Sequence, residues 1–234
     1  IKKACGFLTG SIWITEQVQY EETRVLPDLI VRSVESFADM LENNVGGFFG
    51  EVKFPPNQHK HYKGIIGSVG FNVDGGIIPM HFSGRYYGHK YYMNHLHPYS
   101  RAIALNKVPN KSYTGVFNKE FSVIYAAVIN SLIEENHIDG VCSVPAKPGK
   151  EDRFRGILDE ISQKCHIENL GEHFLCLRPY EDQKELSAAV REKNVKGAFQ
   201  YNKDLSGKTV VLIDDIVTTG ATLRECVRVL NKVG

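Results

Sequence analysis

Val210-Val211-Leu212-Ile213-Asp214-Asp215-Ile216-Val217-Thr218-Thr219-Gly220-Ala221-Thr222 is the stretch on which the reading of this chain turns. Thr209 to Ile213 is apolar without polar alternation, which predicts a strand covered on both faces. It delivers two acids at its C-terminal edge, where open α/β sheets bind ligands. Small and hydroxylated residues follow, and then a helix over 222–230 with Leu223, Val227 and Leu230 on one side. Amides in such a turn, together with a helix N-terminus, offer unpaired N–H donors that favour a phosphate. Thr218, Thr219 and Thr222 add hydroxyl donors, and Gly220 with Ala221 allows close backbone approach. Carboxylates repel a phosphate, so Asp214 and Asp215 suit a different partner, the vicinal hydroxyls of a ribose. Phosphate on one side and ribose hydroxyls on the other make a coherent 5-phosphoribosyl site. The plain structural alternative is a buried strand whose terminal acids cap the next turn.

Working outward, Gly140 to Pro145 reads as a short strand stopped by proline, and 151–164 as a helix. A strand is expected over 174–177 and a loop or brief helix over 186–192. Further upstream Val123, Ala126, Ala127, Ile129, Asn130 and Ile133 follow helical spacing, with Asn118 as a candidate cap. Strand–helix units of this kind imply a parallel sheet with right-handed crossovers. The fold class expected is therefore α/β: a parallel-sheet core preceded by a β-rich N-terminal region. In that region Ser11 to Ile14 and Leu29 to Val31 are β-type runs. Ser36 to Leu41 begins a short helix, and Asp74-Gly75 sits where a hairpin turn belongs. The domains expected are 1–100, an accessory region or hood, and 101–234, the core.

The thirteen-residue string resembles the phosphoribosyl diphosphate (PRPP) binding motif of type I phosphoribosyltransferases. More narrowly, 174–232 resembles the ComF-like competence and amidophosphoribosyl-type family. Arg178-Pro179, Gln183, Leu186-Ser187, Arg191, Asn194-Val195, Lys196 and Gly197-Ala198-Phe199 are similar to that family's segment before its central strand. The family usually has a threonine three residues before the glutamine, where this chain has Tyr180. Val144-Pro145-Ala146-Lys147-Pro148 resembles the family's pyrophosphate loop, which implies Ala146 and Lys147 as pyrophosphate-binding residues, with Arg153 and Arg155 close in sequence. After its final helix the family continues into another strand, and this chain reaches Gly234 there.

The resemblance implies displacement of pyrophosphate from PRPP by a nitrogen nucleophile on a small acceptor, with Mg²⁺ as cofactor. Asp214 and Asp215 orient the ribose hydroxyls in this scheme, holding Mg²⁺ directly or through water. Residues 179–195 form a lid that excludes water, with Arg178 and Arg191 as its anion partners. Two further function classes stay open: a non-catalytic PRPP or nucleotide sensor, favoured by the altered threonine position, and a protein associated with single-stranded nucleic acid.

The third class rests on the N-terminal half. Lys53, Lys60, Lys63, Arg85, Lys90, Arg101 and Lys107 face a single acid, Asp74, across that window. Gly84 to Tyr92 interleaves bases with tyrosines, which suits stacking of nucleobases or equally one buried strand face with a wet rim. His59, His61, His81, His89, His95 and His97 gather in the same half without the cysteine or acid spacing of a zinc site. The cysteine-rich zinc segment usual in ComF-like proteins is not matched. Cys5, Cys142, Cys165, Cys176 and Cys226 show no CxxC pair and are odd in number, as expected of free thiols in a reducing cytoplasm. At 234 residues, 42% hydrophobic and formal net charge +1, the composition is that of a globular chain with no membrane span. The apolar stretch that stops at Thr9 is too short for a signal peptide. A homodimer is a candidate assembly.

Overall fold

The computed structural model describes residues 12–15, 29–42, 67–88, 94, 97–107, 115–181 and 188–234. Contacts divide the chain into two compact units, Ile1–Glu134 and Glu135–Gly234.

In the first unit, β1 (Ile12–Ile14) and β2 (Leu29–Val31) pair in parallel. Helix α1 (Val34–Glu42) starts two residues before the expected Ser36, because the Ser33 hydroxyl accepts the Ser36 amide at 3.1 Å. β3 (Gly67–Val73) and β4 (Gly76–Phe82) form the expected antiparallel hairpin around Asp74-Gly75. Val69, Phe71 and Val73 alternate into its core. α2 (Pro98–Asn106) is capped by His97, whose side chain accepts the Ser100 amide. α3 (Asn118–Ile133) buries Phe121, Ile124, Ala126 and Ile129, and Phe121 meets Tyr99 edge-on at 6.0 Å. Asn118 does not cap this helix. Phe117 holds the cap position without a side-chain bond, and the Asn118 carbonyl oxygen instead accepts Asn106 Nδ2 at 3.0 Å.

The second unit holds a three-stranded parallel sheet in the order β6 (Glu168–Asn169), β5 (Gly140–Ser143), β9 (Val210–Ile213). β5 lies in the middle and is buried along its length. A methyl group at Gly140 would sit 2.4 Å from Leu170 Cδ1 and 3.0 Å from the Glu168 carbonyl oxygen. Glycine at the head of β5 therefore lets β6 approach. Helix α4 (Arg155–Cys165) follows β5 and buries Ile157, Leu158 and Ile161. It starts after residue 151 because Asp152 first accepts the Phe154 amide at 2.9 Å, closing a turn. Helix α6 (Ala221–Leu230) follows β9 and buries Leu223, Cys226, Val227 and Leu230.

β7 (Phe174–Cys176) departs from the parallel pattern. It pairs antiparallel with β8 (Phe199–Tyr201), a strand the spacing did not predict. Two edge-on contacts, Phe174 with Phe199 at 6.2 Å and with Tyr201 at 5.6 Å, hold the pair. Between them runs α5 (Ala188–Val195). Among the described residues no helix is long and apolar enough to cross a membrane.

Asp139 ties the start of β5 to β9, its Oδ2 accepting the Thr209 amide at 2.8 Å. That bond, with smaller help from His137 and Lys208, holds its carboxyl below the usual carboxylate value. A depressed folded value stabilises above the unfolded value and is lost as pH falls through the folded one. In thermal melts taken downward from about pH 5, Asp139→Asn is expected to show a shallower acid decline than the wild type. Identical slopes would remove Asp139 from the acid transition.

Candidate functional site

Parallel strands β5 and β9 end side by side, with the Val144 amide donating to the Ile213 carbonyl at 3.0 Å. The loops leaving them therefore share the C-terminal edge of the sheet. Asp214 and Asp215 open the loop after β9. Asp214 Oδ1 accepts the Asp215 amide at 2.8 Å, and Asp215 Oδ2 lies 2.8 Å from Arg153 Nη1, which comes from the loop after β5. Arg153 was placed by sequence only as a cation near the pyrophosphate loop, and its pairing with Asp215 could not be read from spacing.

The turn 218–222 leads into α6. Gly220 is buried and takes the cap position with φ 76, and its carbonyl accepts the Arg224 amide at 2.8 Å. The Arg224 guanidinium donates to the Thr219 carbonyl at 2.8 Å, while its Nε bonds Glu192 of α5 at 3.1 Å. With that carbonyl turned to Arg224, the amides of Val217, Thr219, Gly220 and Ala221 donate to nothing among the described residues. The buried Thr219 hydroxyl has no hydrogen-bond partner there either. Buried or half-buried donors are rarely left unpaired, so this turn has the donor set of an anion site. Thr218 is exposed; Thr222 and Ala221 sit in the first turn of the helix, Ala221 buried.

Glu225, a buried carboxylate three residues beyond Thr222, accepts the Gly197 amide at 2.7 Å and lies 3.4 Å from Arg228. Sequence reading passed over it, although an acid between Leu223 and Cys226 on the apolar side of the helix was a visible signal. Arg178 is engaged elsewhere than expected. Its guanidinium donates to the carbonyls of Asn194 and Lys196 at 3.0 and 2.8 Å, closing the C-terminal end of α5. Asn194 in turn bonds both backbone groups of Glu181. Arg191 lies half-buried on α5. Gln183, Leu186 and Ser187 of the expected lid lie outside the described residues.

Ala146 and Lys147 lie in the loop after β5. Lys147 Nζ sits 4.4 Å from the centre of the Tyr180 ring, and that ring packs edge-on against Phe199 at 5.7 Å. Tyr180, which stands where the family that the sequence resembles usually has threonine, thus engages the lysine expected at the pyrophosphate. Releasing the lysine with Tyr180→Ala should strengthen binding of inorganic diphosphate by roughly 2–5-fold, the worth of an exposed cation–π contact. Tyr180→Phe keeps the ring and should leave the affinity unchanged. Equal affinities in both variants would show that the stacked lysine is irrelevant to anions.

As they stand, Asp214 and Asp215 do not fit a resident Mg²⁺. Asp215 is neutralised by Arg153, and no group of three His, Cys, Asp or Glu side chains among the described residues is placed to hold a metal.

In the first unit, Tyr87 packs edge-on against His97 at 5.0 Å and carries Arg85 over its ring at 5.8 Å. Its amide donates to Ser100 Oγ at 2.9 Å, so this tyrosine serves the fold. Residues 89–92 lie outside the described residues. His81 bonds Ser68 at 2.7 Å, and His97 is the α2 cap. His59, His61, His89 and His95 lie outside the described residues.

The sequence model of the phosphoribosyl transferase domain family matches residues 180–234. Over 74 residues the chain is 34% identical to the DNA utilization protein YhgH of Escherichia coli (strain K12), covering 32% of this chain and 33% of that protein. Competence protein F of Haemophilus influenzae is 33% identical over 78 residues, 32% of this chain and 34% of that protein. The transcriptional regulator GfcR of Methanosphaera stadtmanae is 28% identical over 123 residues, 51% and 52% of the two chains. The chain thus spans about a third of the first two relatives and about half of the third. The fold expectation holds: a β-rich N-terminal region precedes a parallel-sheet, phosphoribosyltransferase-like core.

Proposed function

We propose that the second unit is a 5-phosphoribosyl-binding module, of the ComF-like type I phosphoribosyltransferase class, in a protein that handles nucleic acid. One observation carries this reading: the amides of Val217, Thr219, Gly220 and Ala221 and the Thr219 hydroxyl, unpaired among the described residues, at the mouth of α6 beside the Asp214–Asp215 pair. The amides and the Thr219 hydroxyl seat the 5-phosphate, and the acids accept hydrogen bonds from the ribose hydroxyls. Lys147 and Arg153 supply positive charge on the diphosphate side. The DNA utilization and competence names of the similar proteins support the nucleic-acid association.

Transfer itself is the second reading, favoured by the match to a transferase-domain family. A nitrogen nucleophile would attack C1′ of PRPP as the bond to pyrophosphate breaks, the pyrophosphate leaving with the bonding pair toward Lys147 and Arg153. Mg²⁺, in this reading, would accompany the substrate and supply charge stabilisation on the diphosphate side. Arg178, spent on the end of α5, is not assigned to the transition state, while Arg191 keeps its place as the lid-side cation. A cytoplasmic location and a homodimer belong to the same proposal.

Calorimetry with PRPP, on the wild type and on the Asp214→Asn, Asp215→Asn double variant, tests the shared site. Absence of binding, or binding indifferent to the double change, contradicts both readings. Pyrophosphate release across a panel of nucleobases and amines then separates them, since sustained acceptor-dependent turnover establishes transfer. Salt-dependent single-stranded DNA binding that is lost on neutralising Arg85 and Lys90 supports the nucleic-acid partner.

A further inference from the structure

We infer that Arg153 is the built-in cation of the acid pair, standing at Asp215 where a divalent metal would otherwise settle, so that a ribose phosphate is accepted without metal at that carboxylate. This inference rests on the phosphoribosyl reading given above. Three observations carry it. The Arg153 Nη1 to Asp215 Oδ2 distance is 2.8 Å, with the two side chains 32% and 18% exposed, so the pair sits in the mouth of the site rather than on the open surface. The backbone at Arg153 is held on its C-terminal side, where the Phe154 amide bonds Asp152 and the Phe154 ring is buried. A guanidinium at that position is placed by the fold instead of drifting on a long exposed loop. Finally, a guanidinium carries five N–H donors, and beyond the ion pair with Asp215 those of Arg153 have no partner among the described residues.

The chemistry follows from those facts. The Arg153 guanidinium sets a unit positive charge 2.8 Å from the Asp215 carboxylate. A divalent ion approaching Asp215 meets that positive charge and must displace it. A sugar phosphate meets the opposite arrangement. The offset carboxylate can still accept hydroxyl donors, since a carboxylate has about four acceptor sites. The remaining guanidinium N–H groups are suited to phosphate or diphosphate oxygens. Asp214 is the less available acid for a metal, since one oxygen already takes the Asp215 amide.

Two titrations on the full chain decide the matter. In the first, Mn²⁺ alone is titrated and followed by electron paramagnetic resonance, with wild type, Arg153→Gln, and Arg153→Gln combined with Asp215→Asn. The wild type is expected to bind Mn²⁺ weakly. Arg153→Gln should tighten it by about tenfold or more, as removal of a neighbouring positive charge requires, and Asp215→Asn should cancel the gain. Wild-type affinity equal to that of Arg153→Gln, or a gain that survives Asp215→Asn, overturns the inference. In the second titration, ribose 5-phosphate is added in EDTA and in Mg²⁺. The wild type should bind within about twofold in the two buffers, whereas Arg153→Gln should become about tenfold dependent on Mg²⁺. A wild type that needs Mg²⁺ overturns the inference as well. Lack of ribose 5-phosphate binding under every condition contradicts the phosphoribosyl reading and is distinguishable, because the Mn²⁺ series reads Arg153 by itself. Circular dichroism of each variant establishes that it is folded before either titration is scored.

Discussion

Gly220→Val is expected to abolish sugar-phosphate binding, lowering affinity for ribose 5-phosphate at least about 100-fold, or roughly 2.7 kcal/mol. Gly220 holds φ 76 at the cap of α6 and is buried. A β-branched residue is strained there by at least about 1–2 kcal/mol, and a buried position leaves its two methyl groups no solvent to enter. The cheapest relief is a flip of the turn, which moves the amides of Val217, Thr219, Gly220 and Ala221 together. Helix α6 is anchored independently through Leu223, Cys226, Val227 and Leu230, so the unit should remain folded with a reduced melting temperature. Gly220→Ala carries the backbone strain with a single methyl group and should fall between the two. Calorimetry on the three proteins checks the order. Wild-type affinity in Gly220→Val would mean that the turn does not seat the phosphate.

The second large effect is on stability. Glu225→Ala should cost the second unit about 2–4 kcal/mol, the range for removing one partner from a buried charged hydrogen bond. Its loss leaves the Gly197 amide, 2.7 Å from Glu225 Oε1, without its acceptor, and leaves Arg228 without the carboxylate beside it. Arg228 is 30% exposed and recovers part of its loss from water, which places the expectation below the full cost of a wholly buried pair. Glu225→Gln retains an oxygen for Gly197 and should cost about 1 kcal/mol. Urea unfolding followed by circular dichroism measures the difference, and hydrogen exchange at the Gly197 amide localises it. Unchanged exchange in Glu225→Ala would mean that the bond contributes nothing to holding the end of α5.

Legibility of this protein in its sequence followed the range of the interactions involved. β9, the position of the acid pair, the turn after it and α6 were readable because each is encoded locally, by an unbroken apolar run and by small residues followed by helical spacing. The hairpin at Asp74-Gly75 was readable for the same reason. β8 was not, since Phe199-Gln200-Tyr201 is too short to stand out and its pairing with Phe174 to Cys176 is fixed by contacts between aromatic rings distant in sequence. Asn118 looked like a helix cap, but Asn106 claimed its side chain from twelve residues away. The roles of the site's cations were hidden in the same way. Nothing in the spacing of Arg153 and Asp215, of Lys147 and Tyr180, or of Arg178 and the end of α5 reveals which charges meet. Local pattern marked the turn proposed to seat a phosphate, and long-range packing decided which basic residues stand near it.

Amide-resolved NMR of the chain during a titration with ribose 5-phosphate tests the seat itself. Saturable shifts concentrated on the backbone amides of Val217 to Thr222, with smaller ones at Asp214, Asp215 and Arg153, are expected. A silent turn, with shifts spread elsewhere or absent at saturating ligand, would contradict the assignment of this turn as the place where a sugar phosphate binds.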